Sequence, residues 1–426
     1  MTFRWLKLGM ALAIVIAPAL ARAQTPPSGY VSVFGDFLPN RDNTAELRTR
    51  VFAEEVLDPT PKLLITGSGF FEGLVADRST RKTDAIFRVQ ELSVEYRGDR
   101  VDLFAGFGTI AWGRLDELQP TDVINPLDVS RFFFEGRSEA RLPVGLARLR
   151  WNFSEKASIE GVYVPFFRRG RYDQLDEPSS PFNIAEQAKT VMTTLPPYVS
   201  SLPFSFVEHE PANTFENSQG GARVNLTTGR VDWSVSAYSG IEPFALYRTA
   251  LPKPAQAFVA VETVYPRFTM LGGDFETVRG AWGLRGEIAA FVRDSFQSPS
   301  LAVIDGSSVD AGVGVDRKAG NYRISGTLLL HHEAYDQAIN DEEARTDVSL
   351  MLSTDRSFGR DRYQLRGFGV YNPSEASAFL RAIATAKLTD KVAVEGSSGW
   401  FAGEGRDIVG RFSDSDFVYL RLKYYF

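Results

Sequence analysis

The amino-acid sequence predicts an all-β protein: a transmembrane antiparallel up-and-down β-barrel of 16–18 strands, with 18 favoured. Apolar and polar residues alternate along many segments, and alternate side chains of a strand face opposite sides of a sheet. Several of these segments reach about ten residues, the length that a tilted strand needs to cross a bilayer. Every second connection between them is short and most of the others are longer, which is typical of membrane barrels.

The N-terminal segment is expected to be removed. Residues 1–23 begin with a basic stretch that contains Arg4 and Lys7, continue with a short uncharged run, and finish with a small-x-small ending, Ala21-Arg22-Ala23. This pattern is typical of a cleaved signal peptide, and the run is shorter than the roughly 20 residues of a membrane-spanning helix. We therefore expect residues 24–426 to form a single exported barrel domain.

Composition excludes several classes of protein. The chain has 426 residues and no cysteine, so it contains neither a disulfide nor a thiolate metal site. Its net charge of −6 argues against nucleic acid as a partner. Beyond the signal peptide no stretch of about 18 apolar residues predicts a membrane-spanning helix.

The strands are assigned in order from the period-two segments. In "ARVNLTT", for example, Ala222, Val224 and Leu226 alternate with polar residues. One segment, "FRVQELSVEY", changes parity near Gln90-Glu91, which predicts a β-bulge. The predicted strands are 28–38, 44–57, 62–75, 83–97, 100–112, 142–154, 156–164, 218–228, 230–241, 264–277, 280–293, 307–318, 321–334, 345–357, 361–371, 377–388, 391–402 and 416–426.

The connections predict the orientation of the barrel. Short turns such as "GD", "TG" and "RG" alternate with longer connections, led by loops at 113–141 and 165–217. Membrane barrels with short periplasmic turns and long outer loops show this alternation of short and long connections. Both chain ends are then expected on the periplasmic side. An even number of strands follows.

The last strand, "FVYLRLKYYF", is expected to close the barrel against the first. Backbone groups have no water to bind inside a bilayer, so the sheet has to close. The alternating strand with an aromatic end resembles the targeting signal that the barrel-assembly machinery reads. Its matching outward positions are Val418, Leu420, Leu422, Tyr424 and Phe426.

One loop carries a family motif. It contains Trp112-Gly113, then Asn125-Pro126-Leu127-Asp128, and an acidic and basic run that leads to Leu142-Pro143-Val144. Over about 104–144, the sequence resembles a family of porin-like Gram-negative outer-membrane β-barrel proteins of unknown function. The resemblance implies an association with inner-membrane transporters of lipids or other apolar compounds. The charged residues of the motif are Arg131, Glu135, Arg137, Glu139 and Arg141.

Three interpretations of this motif loop remain open. The loop folds inward and is held by ion pairs, or it forms a constriction that selects a ligand. In the third, its carboxylates bind calcium, although their spacing fits no known calcium loop. The carboxylates in question are Asp116, Glu117, Asp122 and Asp128.

The loop at 165–217 is the longest connection. Residues 184–195 carry apolar residues at helical spacing, and so long a segment without strands is rarely idle in a compact fold. A plug, a lid and an exposed receptor site are all compatible with it. Arg168, Arg169 and Arg171 either contact anionic lipopolysaccharide or lie in a solvated turn. We expect at least one of the two long loops to fold into the lumen and restrict it.

Catalysis is not expected. The three histidines are His209, His331 and His332, and the last two are adjacent on one strand and so face opposite sides. No serine-centred elbow or metal-spaced histidine pair accompanies them. The sequence predicts no cofactor and no metal site.

The inward faces carry both signs of charge, which suggests a water-filled or ion-paired interior. We expect a bacterial outer-membrane channel for solutes, or the outer-membrane port of a transport system. The alternative is a plugged structural or receptor barrel that binds a ligand at its loops without conducting. Expected partners are membrane lipids, lipopolysaccharide and the assembly machinery. Candidate lumen-lining residues are Arg148, Arg150, Arg223, Arg285, Glu287, Arg323, Arg362, Arg366 and Arg381.

Overall fold

The structure is a computed structural model, and it leaves parts of the chain undescribed. Three predicted features lie outside the described residues: the signal peptide, the segment 184–195 with apolar residues at helical spacing, and Glu117. No helix in the described ranges is long and apolar enough to cross a membrane. Those ranges are 27–41, 44–77, 81–116, 118–171, 181–182, 204–250, 259–298, 302–339, 341–404, 407 and 409–426.

Eighteen antiparallel strands form one closed sheet, which confirms the fold class and the favoured strand count. Each barrel strand pairs with the next one along the chain, and the last pairs with the first. In chain order the strands are β1 (Ser28–Leu38), β2 (Thr44–Thr60), β3 (Leu63–Asp77), β4 (Arg81–Arg97), β5 (Val101–Gly108), β6 (Val144–Ser154), β7 (Ala157–Val164), β8 (Phe204–Val207), β9 (Gln219–Thr228), β10 (Val231–Ile241), β11 (Leu246–Ala250), β12 (Val259–Val264), β13 (Arg267–Arg279), β14 (Trp282–Gln297), β15 (Val303–Ala319), β16 (Tyr322–Ile339), β17 (Glu342–Phe358), β18 (Tyr363–Asn372), β19 (Ser377–Lys387), β20 (Val392–Ala402) and β21 (Phe417–Tyr425). All except β8, β11 and β12 belong to the barrel.

The alternation of side chains separates a lipid-facing surface from the lumen. Along β1, Val31, Val33 and Phe37 are exposed on the outside, whereas Ser32 and Phe34 are buried inside. The same alternation recurs around the sheet, so the outer surface is apolar and suited to a bilayer. The predicted bulge is confirmed, because the register of β3 against β4 shifts so that Gln90 has no partner residue.

The two ends of the barrel differ. The turn end carries the short connections, which include 61–62, 229–230 and 320–321, and the loop end carries the long ones. Both described chain ends lie at the turn end, because β1 starts there and β21 finishes there. The predicted alternation of short turns and long loops therefore agrees with the structure.

A small second sheet at the loop end was not predicted. Strand β12 pairs in parallel with β8 and antiparallel with β11. The expectation that 165–217 contains no strand was therefore wrong at β8. These strands have four to six residues, too few to show a clear period-two pattern within long connections.

The connection between β5 and β6, residues 109–143, lies inside the barrel and is called the lumen loop below. The predicted strand 100–112 was too long, because β5 ends at Gly108. The backbone N–H of Ile110 donates to the side chain of Asn125 instead of to a neighbouring strand. The lumen loop contains two short helices, α1 (Val129–Glu135) and α2 (Arg137–Ala140).

The apolar core of the protein lies within the lumen, where this loop meets the wall. One cluster joins α1 to the inward faces of β1 and β19–β21, and a second joins the start of the loop to β6, β7, β10, β13 and β14. The aromatic members of the first cluster are Phe34, Phe133, Phe134, Phe182, Phe379, Phe401, Phe412, Phe417 and Tyr419. The second contains Ile110, Trp112, Ile124, Val144, Leu146, Val162, Val164, Tyr238, Phe268, Met270 and Ala289.

Candidate functional site

Asn125 holds the two ends of the lumen loop together. Its side-chain amide donates to the carbonyls of Gly108 and Leu142, at 3.3 and 2.9 Å, and its oxygen accepts from Ile110 N–H at 2.8 Å. The next residue, Pro126, has no N–H, but its carbonyl accepts from Leu142 N–H at 2.7 Å. The Asn-Pro pair of the motif thus closes the loop at its base.

A compact lobe, residues 128–140, projects from this base. Its ends are adjacent because Asp128 N–H donates to the carbonyl of Ala140 at 2.7 Å. Leu127 and Arg141 form an antiparallel bridge just outside it. The lobe contains α1 and α2 and occupies the lumen beside β19–β21.

Three strong contacts fix α1 to the wall. Arg131 donates to Glu72 of β3 at 2.9 Å, and Glu135 accepts from Arg50 of β2 at 2.9 Å. The carbonyl of Phe134, near the C-terminal end of the helix, accepts from Arg381 of β19 at 2.7 Å. Cations at a helix C-terminus are favourable for the helix dipole. The seam of the barrel is the place where the last strand, β21, pairs with the first, β1. Helix α1 is therefore held by strands on both sides of this seam.

Asp122 fixes α2 from within the loop. Its carboxylate pairs with Arg137 at 3.1 Å and with Arg141 at 2.7 Å. Glu139, on the same helix, is exposed and forms no ion pair within the described residues. Asp128 at the base of the lobe pairs with Arg88 of β4 at 3.0 Å.

The start of the lumen loop is fixed to the opposite wall. Glu287 of β14 accepts from the backbone N–H groups of Arg114 and Leu115, and from Thr121 at 3.0 Å. Arg285 pairs with Asp116 at 2.7 Å. The loop therefore spans the lumen from the seam near β1 to β14.

The Trp-Gly pair of the motif lies at the start of the lumen loop and contacts β7 and β9. Trp112 is buried, its Nε1–H donates to Glu160 at 2.8 Å, and its carbonyl accepts from Arg223. Any side chain at Gly113 would overlap Gln119. The motif residues thus shape and anchor the loop.

The lumen loop leaves a cavity on each side. The larger lumen cavity, of 510 Å³, lies between the lobe and the inward faces of β16–β21. A second cavity, of 500 Å³, lies between the start of the loop and β6, β7 and β9. Polar and charged side chains make up most of the lining of both cavities.

Eight of the nine predicted lumen-lining residues lie on inward faces of barrel strands. Arg362 is different, because it is exposed in the turn before β18. The prediction extended that strand too far toward the turn. The eight are Arg148, Arg150, Arg223, Arg285, Glu287, Arg323, Arg366 and Arg381.

The three described carboxylates of the calcium interpretation each pair with arginine. Asp116 pairs with Arg285, Asp122 with two arginines of the loop, and Asp128 with Arg88. No group of three or more potential metal ligands occurs among the described residues. Each of these carboxylates instead balances a cation of the loop or wall.

The histidine pair faces two ways, as its adjacency requires. His331 lies on the inward face between Asp310 and Glu333, at 2.5 and 2.8 Å. His332 contacts Thr346 at 2.8 Å. The network around His331 is acidic and lies toward the loop end of β15 and β16.

Several contacts were not found from sequence. The inward aromatic residues Phe379, Phe401 and Phe417 were not expected to pack against the motif loop. Arg168 was assigned to the surface, but it is partly buried and donates to the carbonyl of Pro143. Burial, with the neighbouring cations of Arg88 and Arg171, lowers its pKa to about 10.

The residues of the predicted assembly signal share one face. Val418, Leu420, Leu422 and Tyr424 are exposed on the outside of β21. Phe426 exchanges backbone hydrogen bonds with Gly29, at 3.1 and 3.4 Å. The chain end is thus part of the seam that closes the barrel.

Several solved structures share the fold of this chain. OccK5 (OpdH) of Pseudomonas aeruginosa has a TM-score of 0.51 and 10% identity, covering 94% of this chain and 96% of that one. OccK2 (OpdF) of the same organism, solved with glucuronate, has a TM-score of 0.51 and 11% identity over the same shares. OccAB3 of Acinetobacter baumannii has a TM-score of 0.50 and 9% identity, covering 94% and 98%. At such identities the likeness concerns the fold alone.

Sequence comparison gives one family. A family model described as a protein of unknown function (DUF1302) matches residues 93–312, slightly more than half of the chain. The match includes the whole lumen loop. No curated protein matches the sequence.

Proposed function

The chain belongs to the DUF1302 family of proteins of unknown function, and we propose that it is a passive outer-membrane channel. In this proposal, small polar or charged solutes pass beside the lumen loop. The observation that carries it is the 510 Å³ cavity, lined mainly by charged and polar side chains, inside a closed barrel with an apolar outer face. Such a barrel requires a bilayer outside and water inside.

The position of the lobe supports a constriction rather than a simple wide pore. A barrel of this strand number leaves an aqueous channel when nothing fills it. Here the lobe fills the side of the lumen next to β19–β21 and is held by buried ion pairs. We infer that passage occurs along the larger cavity, and that the loop sets the size limit of the solute.

Two features support the proposed location in the outer membrane. The apolar outer surface and the predicted export signal suit the outer membrane, with the turn end toward the periplasm. The fold is also that of outer-membrane proteins, one of them solved with glucuronate. Small organic acids are therefore reasonable first solutes to test.

The experiment is single-channel recording in planar bilayers, with a variant that lacks the lobe. Replacement of Val129–Glu139 by two glycines is suitable, because Asp128 and Ala140 are already hydrogen-bonded to each other. We expect the wild type to conduct in discrete steps. The variant should conduct several-fold more, because the lobe no longer obstructs the lumen.

A matched control replaces the hairpin of β11 and β12, Leu246–Val264, which belongs to the small second sheet. This change should leave conductance close to that of the wild type. A folded wild-type barrel without conductance, together with a conducting lobe variant, would instead favour the plugged receptor barrel. Absence of conductance in both would contradict the channel proposal.

A further inference from the structure

Arg48 is a buried cation that forms no close ion pair with a carboxylate in the described part of the chain. It lies on the inward face of β2, is 4% exposed, and has no acidic oxygen within 4.0 Å among the described residues. Its guanidinium contacts the ring of Phe34 at 4.0 Å and that of Phe134 at 5.0 Å. Nε and Nη2 donate no hydrogen bond in the described part of the chain. Burial of such donors is costly unless something accepts from them.

Two further cations converge on the same place from β21. In the strand register, Phe34 lies opposite both Arg48 and Arg421, and Ser32 lies opposite Lys423. Arg421 is 8% exposed and pairs with Glu395 at 3.1 Å, but its Nε donates no hydrogen bond to any described residue. The ammonium of Lys423 lies 4.8 Å from the ring of Tyr30.

A small cavity of 10 Å³ separates these groups. That volume holds one water-sized particle. Four cations line it, namely Arg48, Arg50, Arg421 and Lys423, against the two carboxylates of Glu72 and Glu135. A water molecule would accept hydrogen bonds here but would leave the charge of Arg48 without a counter-ion in contact, whereas an anion would satisfy both needs.

The small cavity adjoins the proposed path of the solute. Arg50, Glu135, Arg421 and Lys423 line both it and the larger lumen cavity. An ion at this position therefore lies beside the solute path. It also lies against α1, because Glu135 and Phe134 belong to that helix.

We propose that Arg48, Arg421 and Lys423 form a binding site for one small monovalent anion, either chloride or the carboxylate oxygen of a permeating organic acid. If the protein is the channel proposed above, the site also makes its passage anion selective. Binding itself does not depend on conduction. The two parts are therefore tested separately.

Binding is tested by diffraction from crystals of the whole barrel grown in bromide. We expect an anomalous bromide peak between Arg48 and Arg421, and its loss in Arg48→Gln. Crystals grown with formate in place of halide distinguish a carboxylate from chloride, because a planar group then occupies the site. Density for water alone in both bromide and formate, or a bromide peak that persists in Arg48→Gln, would overturn the proposal.

Selectivity is tested by reversal potentials across a potassium chloride gradient. We expect the anion-to-cation permeability ratio to fall at least about threefold in Arg48→Gln. Lys423→Gln serves as a second variant if Arg48→Gln fails to fold. Arg230→Gln is the control, since it removes the same charge from an exposed turn at the turn end.

An unchanged ratio in a folded variant of the site would refute anion selectivity. A barrel that does not conduct but binds bromide would refute only the proposed channel.

Discussion

Arg131 of α1 and Glu72 of β3 form an ion pair across 2.9 Å, with side chains that are 5% and 3% exposed. The same carboxylate also pairs with Arg50. One buried carboxylate therefore balances a cation of the loop and a cation of the wall. Such buried pairs leave the lumen loop little freedom to move. The loop is therefore part of the packed interior.

Glu72→Gln should destabilise the barrel strongly. The substitution leaves two buried arginines short of a carboxylate, and removal of one partner of a buried pair costs about 3–5 kcal/mol. The measurement is the free energy of unfolding in urea from lipid vesicles. Glu342→Gln, at an exposed position, should change it little. Equal effects of the two substitutions would contradict the assigned role of the pair.

Asn125→Ala should loosen the base of the lumen loop. Three backbone groups lose their partner, and each unsatisfied buried group costs about 1–3 kcal/mol. We expect a lower free energy of unfolding and noisier single-channel currents. Asn213→Ala, in an exposed loop, is the matched control. Quiet currents and unchanged stability in Asn125→Ala would show that the loop does not depend on this residue.

The barrel was predictable from sequence because lipid outside and water inside impose a strict alternation on each strand. In β16, Ile324 and Leu328 face out while Ser325 and Thr327 face in. This signal is local, so the strands were found to within a few residues. The three short strands outside the barrel lack it and were missed.

The site was predictable only in part. The motif residues and most inward arginines were identified, but their partners were not. Arg131 and Glu72 are 59 residues apart, and they meet only because the loop turns into the lumen. The inward aromatic residues Phe379 and Phe401 also interrupt the polar face of their strands. Such interruptions mark where a loop packs, and they are the signal that sequence reasoning passed over.

Leu328→Arg should destabilise the barrel by about 2–4 kcal/mol if the residue lies near mid-bilayer. Leu328 is 49% exposed on the outer face, where lipid would surround the charge. Ser325→Arg should be tolerated, because Ser325 faces the larger lumen cavity. A refolding titration compares the two. Equal tolerance would contradict the assigned faces of β16.

Deletion of Phe426 should reduce assembly in the outer membrane severely. The residue closes the seam against Gly29 and completes the outward pattern of β21. Heat-modifiable migration of membrane-inserted protein on gels reports the folded barrel. Phe215→Ser removes another exposed aromatic residue, remote from the seam, and should leave assembly intact. Normal insertion of the truncated chain would refute the assembly signal.

Glu242 should make stability depend on pH. It directly follows β10, and burial together with the nearby Asp294 raises its pKa to about 8, from an ordinary value of 4.5. Because the folded state binds this proton more tightly than the unfolded state, the stabilisation is fully present below pH 4.5 and is lost as the pH rises through 8. The free energy of unfolding should therefore fall between pH 5 and about pH 8.5.

Glu242→Gln isolates this contribution from all other titrating groups. Glutamine stays neutral at every pH, so the stability difference between the variant and the wild type should grow in favour of the variant as the pH rises. Glu216→Gln, at an exposed position, should follow the wild type throughout. Urea titrations in lipid vesicles at both pH values measure the difference. If that difference is the same at pH 5 and pH 8.5, Glu242 titrates normally, and its surroundings do not oppose its charge.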